Sequence, residues 1–140
     1  MSDVVETGAI NHPHVQWIKA YQGAMASGDV AAGTTYFAPD VTYSVPGNNL
    51  LSGEFHGPEQ VMEYFGKLMQ LTGGTYRITH MQWLVNGDQV LLATVNQATI
   101  GNRSLTWDEG ILFEFKNGKK QRIVLFQADQ DAVDAFYGQG

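Results

Sequence analysis

Glu109 is the side chain best suited to proton chemistry. The stretch TWDEGILF sets it among Trp107, Ile111 and Phe113. Apolar surroundings disfavour the charged form of a carboxyl, so its pKa should rise toward the range a general acid or base needs. A carboxylate at a pocket rim, or one paired with Arg77, is the structural alternative. Tyr21 could donate its hydroxyl to a carbonyl oxygen, as in an oxyanion hole, or be a helix-core tyrosine bonded to backbone. Asp129 could act as a base, although its place before DAVDAF equally suits a helix cap. His80 sits on a strand, where it is a pocket candidate or an ordinary satisfied histidine. With His12, His14 and His56 it forms no i, i+4 pair or other metal-ligand spacing. The chain has no cysteine, so neither a metal centre, a thiolate nor a disulfide is expected. No glycine-rich phosphate loop follows a strand and no G-x-S-x-G is present, so no cofactor is expected.

Strand register decides which of these residues meet. If Gly101-Asn102 is a two-residue hairpin turn, Ile100 pairs with Arg103, Thr94 lies opposite Glu109, and Asn96 opposite Trp107. One face then carries Val90, Leu92, Thr94, Asn96, Trp107, Glu109, Ile111 and Phe113. That is an apolar surface broken by three neighbouring polar groups, which must be hydrogen-bonded or cost about 1–3 kcal/mol each. A ligand is expected there. The opposite face, with Leu91, Ala93, Val95, Gly110 and Leu112, suits packing between subunits. A two-residue turn at Asn86-Gly87 puts Arg77, Thr79, Met81 and Trp83 on the pocket face, and a three-residue turn puts His80 there. The loop at 116–120 likewise decides between Gln127 with Asp129 and Val124 with Phe126.

These strands need partners that cover one face. Residues 13–27 carry apolar side chains at helical spacing, with Pro13 in the first turn and Gly28 at the end. Asp29 can cap a short second helix ending near Phe37. A strand over 41–45 stops at Pro46-Gly47, a loop covers 50–57, and Pro58 opens a third helix that Gly73-Gly74 closes. Four hairpin-linked strands follow from Thr75, then a short amphipathic piece. The expected fold is α+β, with helices on one face of a curved antiparallel sheet. Residues 1–11 read as a flexible tail and 12–138 as one domain.

Composition narrows the partners. Net charge is −6, and the longest basic patch is Lys119-Lys120-Gln121-Arg122. Nucleic acid needs clustered cations, so it is not an expected partner. No window is apolar enough to span a bilayer and the N-terminus lacks a signal-peptide core, so no membrane is expected and the cytoplasm is the expected location. Charged residues are only 16%, against about 25% in ordinary globular proteins. A covered surface or an uncharged cavity would account for that.

YQGAMASGD from Tyr21, YFAPDVTYSVPG, SGEFHG before a helix, and FKNG followed by FQADQDAVDAFYG together resemble the SnoaL-like polyketide cyclase family. That family belongs to the nuclear-transport-factor-2-like superfamily and is related to ketosteroid isomerases. The resemblance spans roughly residues 12–138. It implies a cystatin-like cone, a strongly curved sheet wrapped by three helices with a pocket at the open end, and a homodimer through the outer sheet face. Tyr21 matches the isomerases' oxyanion-binding tyrosine. Val45 stands where their general base would be, and Ile111 where the second oxyanion acid would be. Steroid isomerisation by that route is therefore not expected. Cyclases of the family place an acid or histidine on the Ile111 strand and an aspartate on the last strand, for which Glu109 and Asp129 are the nearest residues. Limonene-epoxide-hydrolase relatives use Arg-x-Asp, where this chain reads Trp107-x-Glu109.

The reading that results is a cofactor-free pocket enzyme of isomerase, cyclase or hydratase type. It would act on a small apolar carbonyl-bearing ligand, with Glu109, Tyr21 and Asp129 as catalytic candidates. Thr94, Asn96, Trp107, Ile111, Phe113, His80 and Val45 would shape the pocket. The alternative is a dimeric ligand-binding or accessory scaffold protein without chemistry.

Overall fold

The computed structural model describes residues 4–138. One curved sheet of seven strands forms its body: β1 (Val5–Gly8), β2 (Phe37–Val45), β3 (Gly53–His56), β4 (Arg77–Asn86), β5 (Gln89–Ile100), β6 (Arg103–Lys116) and β7 (Lys119–Gln127). Their spatial order is β1-β4-β5-β6-β7-β2-β3. Helices α1 (Pro13–Ala26), α2 (Val30–Thr34), α3 (Gly57–Leu71) and α4 (Gln130–Tyr137) complete the α+β fold. The sheet is antiparallel except where β1 joins β4 and β2 joins β7.

Local chemistry accounts for the helix ends. His12 Nδ1 accepts from the His14 amide, Pro13 fills the first turn of α1, and Gly28 adopts φ 80° just beyond it. Asp29 accepts from the Ala32 amide at the start of α2. Along β6 the alternation is strict: Trp107, Glu109, Ile111, Phe113 and Phe115 are buried. The four apolar ones join Val15 and Ile18 of α1, Val61 and Leu68 of α3, and Trp83, Val90 and Leu92 of the sheet in one core.

The central hairpin has the expected register, with Ile100 paired to Arg103, Thr94 to Glu109 and Asn96 to Trp107. The β4–β5 turn lies one residue later than expected, at Gly87-Asp88, since Asn86 pairs with Gln89. Parity is unchanged, so Trp83 and Met81 pair with the inward Leu92 and Thr94. A bulge between Ile78 and His80 then leaves Thr79 without a partner. An extra residue in one strand re-aims its side chains. Ile78, opposite Asn96, therefore takes the inward place expected of Arg77 and Thr79. At the third hairpin Asn117 and Gly118 have φ 53° and 76°, the two left-handed residues of a type I′ turn. The β6–β7 register slips between Glu114 and Phe115, which pair with Arg122 and Lys120. Gln121 is the extra residue, and Lys120 turns inward.

Several expectations need correction. Residues 5–8 are not a tail: β1 pairs with β4, and Glu6 bonds to Lys19 Nζ and Trp83 Nε1, both at 2.9 Å. Met1 to Asp3 lie outside the described residues. The loop expected at 50–57 contains β3, the strand expected at 41–45 begins at Phe37, and a fourth helix follows β7.

Candidate functional site

The inner face of the sheet and the helices enclose a cavity of about 390 Å³. Its walls come from α1 (Ile18, Tyr21, Met25), β2 (Phe37, Tyr43), α3 (Tyr64, Phe65, Leu68), Tyr76 and Ile78 at the head of β4, and β6 with β7 (Glu109, Ile111, Phe113, Lys120, Ile123). Apolar and aromatic groups dominate. The few polar groups are therefore conspicuous, because an apolar wall leaves each without a routine partner.

Glu109 is 8% exposed. Its Oε1 accepts from Gln127 Nε2 at 2.7 Å, and the two residues are direct cross-strand partners. Burial pushes its carboxyl above the ordinary 4.5, opposed by Gln127 and, more weakly, by Asn96 and Trp107. Asn96 and Trp107 stand near the carboxyl without reaching hydrogen-bond geometry. Both side-chain polar atoms of Asn96 and the Trp107 Nε1 are buried without a partner. Arg77 does not pair with Glu109; it lies on the outer face and donates to Gln97 Oε1 at 2.7 and 3.1 Å.

Tyr21 projects from α1 with its hydroxyl buried and unpartnered. Burial raises its pKa far above the ordinary tyrosine value, so it is a donor at every working pH. Tyr43, Tyr64 and Tyr76 are shifted the same way by burial, with the nearby Glu109 charge adding to each shift. Lys120 is fully buried and its Nζ has no hydrogen-bond partner. The nitrogen stands 3.2 Å from the centre of the Tyr21 ring and 4.1 Å from that of Phe37.

The expected site residues separate into four groups. Glu109, Tyr21, Ile111 and Phe113 line the cavity together. Val45 borders an adjoining crevice that shares Glu109, Tyr64, Leu68 and Tyr76 with the cavity. Thr94, Asn96 and Trp107 are buried but form a layer behind the wall, with Thr94 Oγ1 3.5 Å from the Glu109 carbonyl. His80 and Asp129 leave the site. The two-residue turn at Gly87-Asp88 sets His80 opposite the outward Val95, where it is exposed with Nδ1 2.9 Å from Thr79 Oγ1. β7 ends at Gln127, so Asp129 is exposed and caps α4 by accepting from the Ala132 amide.

Sequence reasoning missed Tyr43, Tyr64, Tyr76 and Lys120. Tyr43 alternates with Val41 on β2, and Tyr64 falls three and four residues from Val61 and Leu68, so both were readable from period. Tyr76 lies beyond a bulge that no local motif announces, and Lys120 depends on the length of the third turn. Among the described residues, no group of three or more His, Cys, Asp or Glu side chains could hold a metal ion.

Comparison with known proteins adds a second line of observation. The family model for the SnoaL-like domain matches residues 18–123. An uncharacterized protein of Mycobacterium tuberculosis is 34% identical over 115 residues, covering 81% of this chain and 88% of its own. The structure of Bal32a, from a soil-derived mobile gene cassette, superposes with a TM-score of 0.83 at 28% identity, covering 90% of this chain and 97% of that one. TerC, co-crystallized with polyporic acid, superposes with a TM-score of 0.77 at 20% identity, over 90% of this chain and 98% of that one.

Proposed function

The chain belongs to the SnoaL-like domain family, and from that premise we propose that it is a cofactor-free enzyme of isomerase, cyclase or hydratase type. Its substrate is a small apolar molecule bearing a carbonyl group. One observation carries the reading: Glu109 and Tyr21, the two groups whose chemistry such a reaction needs, border one apolar cavity.

Burial and the Gln127 hydrogen bond give each a role. A carboxyl raised above its ordinary range can take a proton from carbon beside a carbonyl and return it elsewhere. The Tyr21 hydroxyl, with no protein acceptor, is free to donate to the oxygen on which negative charge collects. Gln127 holds the Glu109 carboxyl in place, and Ile111, Phe113 and Phe65 exclude water. TerC, a protein of the same fold, was co-crystallized with polyporic acid.

Proton transfer can be tested before the physiological substrate is known. A panel of aryl and terpenoid ketones is incubated with the protein in D₂O, and loss of the proton signals beside the carbonyl is followed by NMR. At least one ketone should exchange faster than in buffer, and Glu109→Gln should slow that exchange by about 10²–10⁴-fold, the usual contribution of a general base. Exchange equal in wild type and Glu109→Gln would defeat the reading. Ligand binding without chemistry is the second reading. The unpartnered Tyr21 hydroxyl and Lys120 Nζ favour it, since both residues line the cavity and a bound polar group could satisfy them. It predicts thermal stabilisation by members of the same panel with no exchange.

We also propose that two copies associate through the outer sheet face. Leu84, Leu91, Leu112 and Val124 are successive cross-strand partners over β4 to β7. Together with Phe126 they make an apolar row, of which Leu84, Leu91 and Phe126 are 49%, 41% and 51% exposed.

A further inference from the structure

Lys120 is a primary amine in a place where amines are rarely left. It is 0% exposed and lines the cavity. No carboxylate pairs with it: among the described residues the ion pairs are His14–Asp88, Lys19–Glu6 and Arg122–Glu114. Its neighbours are the rings of Tyr21, Phe37 and, at 5.9 Å, Phe113. The titratable groups sharing its cavity are Tyr21 from α1, Tyr43 from β2, Tyr64 from α3, Tyr76 ahead of β4, Glu109 from β6 and Arg77 of β4, whose guanidinium donates to Gln97. The tyrosines stay neutral. Glu109 is the one carboxyl that lines the cavity, and among the described residues no ion pair joins it to Lys120.

We propose that Lys120 is a nucleophile that forms a Schiff base with a carbonyl ligand in the cavity. The inference rests on the carbonyl-ligand reading above and adds a covalent step to it. Burial without a counter-charge lowers the amine's pKa well below the usual lysine value, which favours the free base that a nucleophilic lysine uses. The Nζ lone pair attacks the carbonyl carbon and forms the C–N bond. The carbonyl oxygen takes up the two hydrogens that nitrogen gives up, the C–O bond breaks, and water leaves as the C=N bond forms. Amine plus carbonyl yields imine plus water, with no oxidant or reductant.

The test uses 1-phenylbutane-1,3-dione, an apolar aryl diketone whose imine settles into a stable, ultraviolet-absorbing enaminone. At pH 7 the wild-type protein should gain the enaminone band and one adduct, of probe mass less one water. Peptide mapping should place it on Lys120 and not on Lys19, Lys67, Lys116 or Lys119. Lys120→Met should lose the adduct while the probe still raises its melting temperature. Adducts confined to the other lysines, or undiminished in Lys120→Met, would overturn the inference. So would a probe that stabilises the wild type without any adduct, and that result would leave the apolar-pocket reading standing. A probe that neither binds nor reacts would defeat both. If the adduct forms but Glu109→Gln leaves ketone exchange unchanged, the amine chemistry holds and the Glu109 proposal falls.

Discussion

Lys120 and Glu109 show what burial does to two charges of opposite sign. Lys120 has its pKa depressed below the ordinary 10.5. Its favourable contribution is therefore complete above about pH 10.5 and is lost as pH falls toward its folded value, because the unfolded chain takes up the proton first. Each unit of depression costs about 1.4 kcal/mol at pH 7. Lys120→Met should thus melt at higher temperature than wild type at pH 7, and the gap should close as the buffer approaches pH 10.5. A calorimetric series over pH 7–10.5 reads both. Glu109 runs the other way in pH: its contribution is complete below its ordinary 4.5 and fades as pH rises through its raised folded value. The two residues also differ in how visible they were in the sequence. Glu109 followed from counting outward from Gly101-Asn102, since β5 and β6 pair without interruption. Lys120 did not, because the loop at 116–120 left the length of the third turn open, and one residue more or less there reverses the face of the strand that follows.

At the scale of elements, the segment after β2 is tied to α4. Asp134 Oδ1 accepts from Asn49 Nδ2 at 2.7 Å, Gln130 Nε2 at 2.9 Å and the Asn48 amide at 3.1 Å. Partial burial alone would raise the Asp134 pKa, but these donors outweigh it and the net shift is downward. Gly47 lies beside them at φ 90°, where a Cβ would collide with Gln130 and Asp134. The tie seats Val45, Asn49, Leu51 and Tyr137 around the crevice next to Glu109. Asp134→Ala should lower stability by about 1 kcal/mol, discounted for its exposure, and speed amide hydrogen exchange over residues 47–52. The stabilisation that Asp134 gives is present above its ordinary 3.8 and is lost as pH falls through the lowered folded value. Pro46-Gly47 marked the end of β2 in the sequence. Its contact with α4 was invisible there, since it joins residues far apart that share no pattern. The helices and hairpins were legible from period and turn chemistry, whereas β1 and β3, each four residues long, are too short to show a period.

For the whole molecule, the sheet presents two unlike faces. The inner one is covered by helices and the outer carries the Leu84–Leu91–Leu112–Val124 row with Phe126. Light scattering should give a dimer, and Leu91→Glu combined with Phe126→Glu should give a folded monomer that still binds ketones. A wild-type monomer would refute association through this face. Charged residues are scarce in the sequence because both faces of the sheet are largely apolar, one around a cavity and one across a surface.

The parallel pairing of β2 with β7 has a consequence for biogenesis. Thr42 meets Arg122, and Tyr43 meets Ile123, so one cavity wall waits for a strand made long after it. During synthesis the first half of the chain emerges with Phe37, Val41 and Tyr43 lacking their sheet neighbour. Closing so long a loop is entropically expensive and slow. The cavity is therefore completed last, and a ligand can find its site only after the final hairpin has docked.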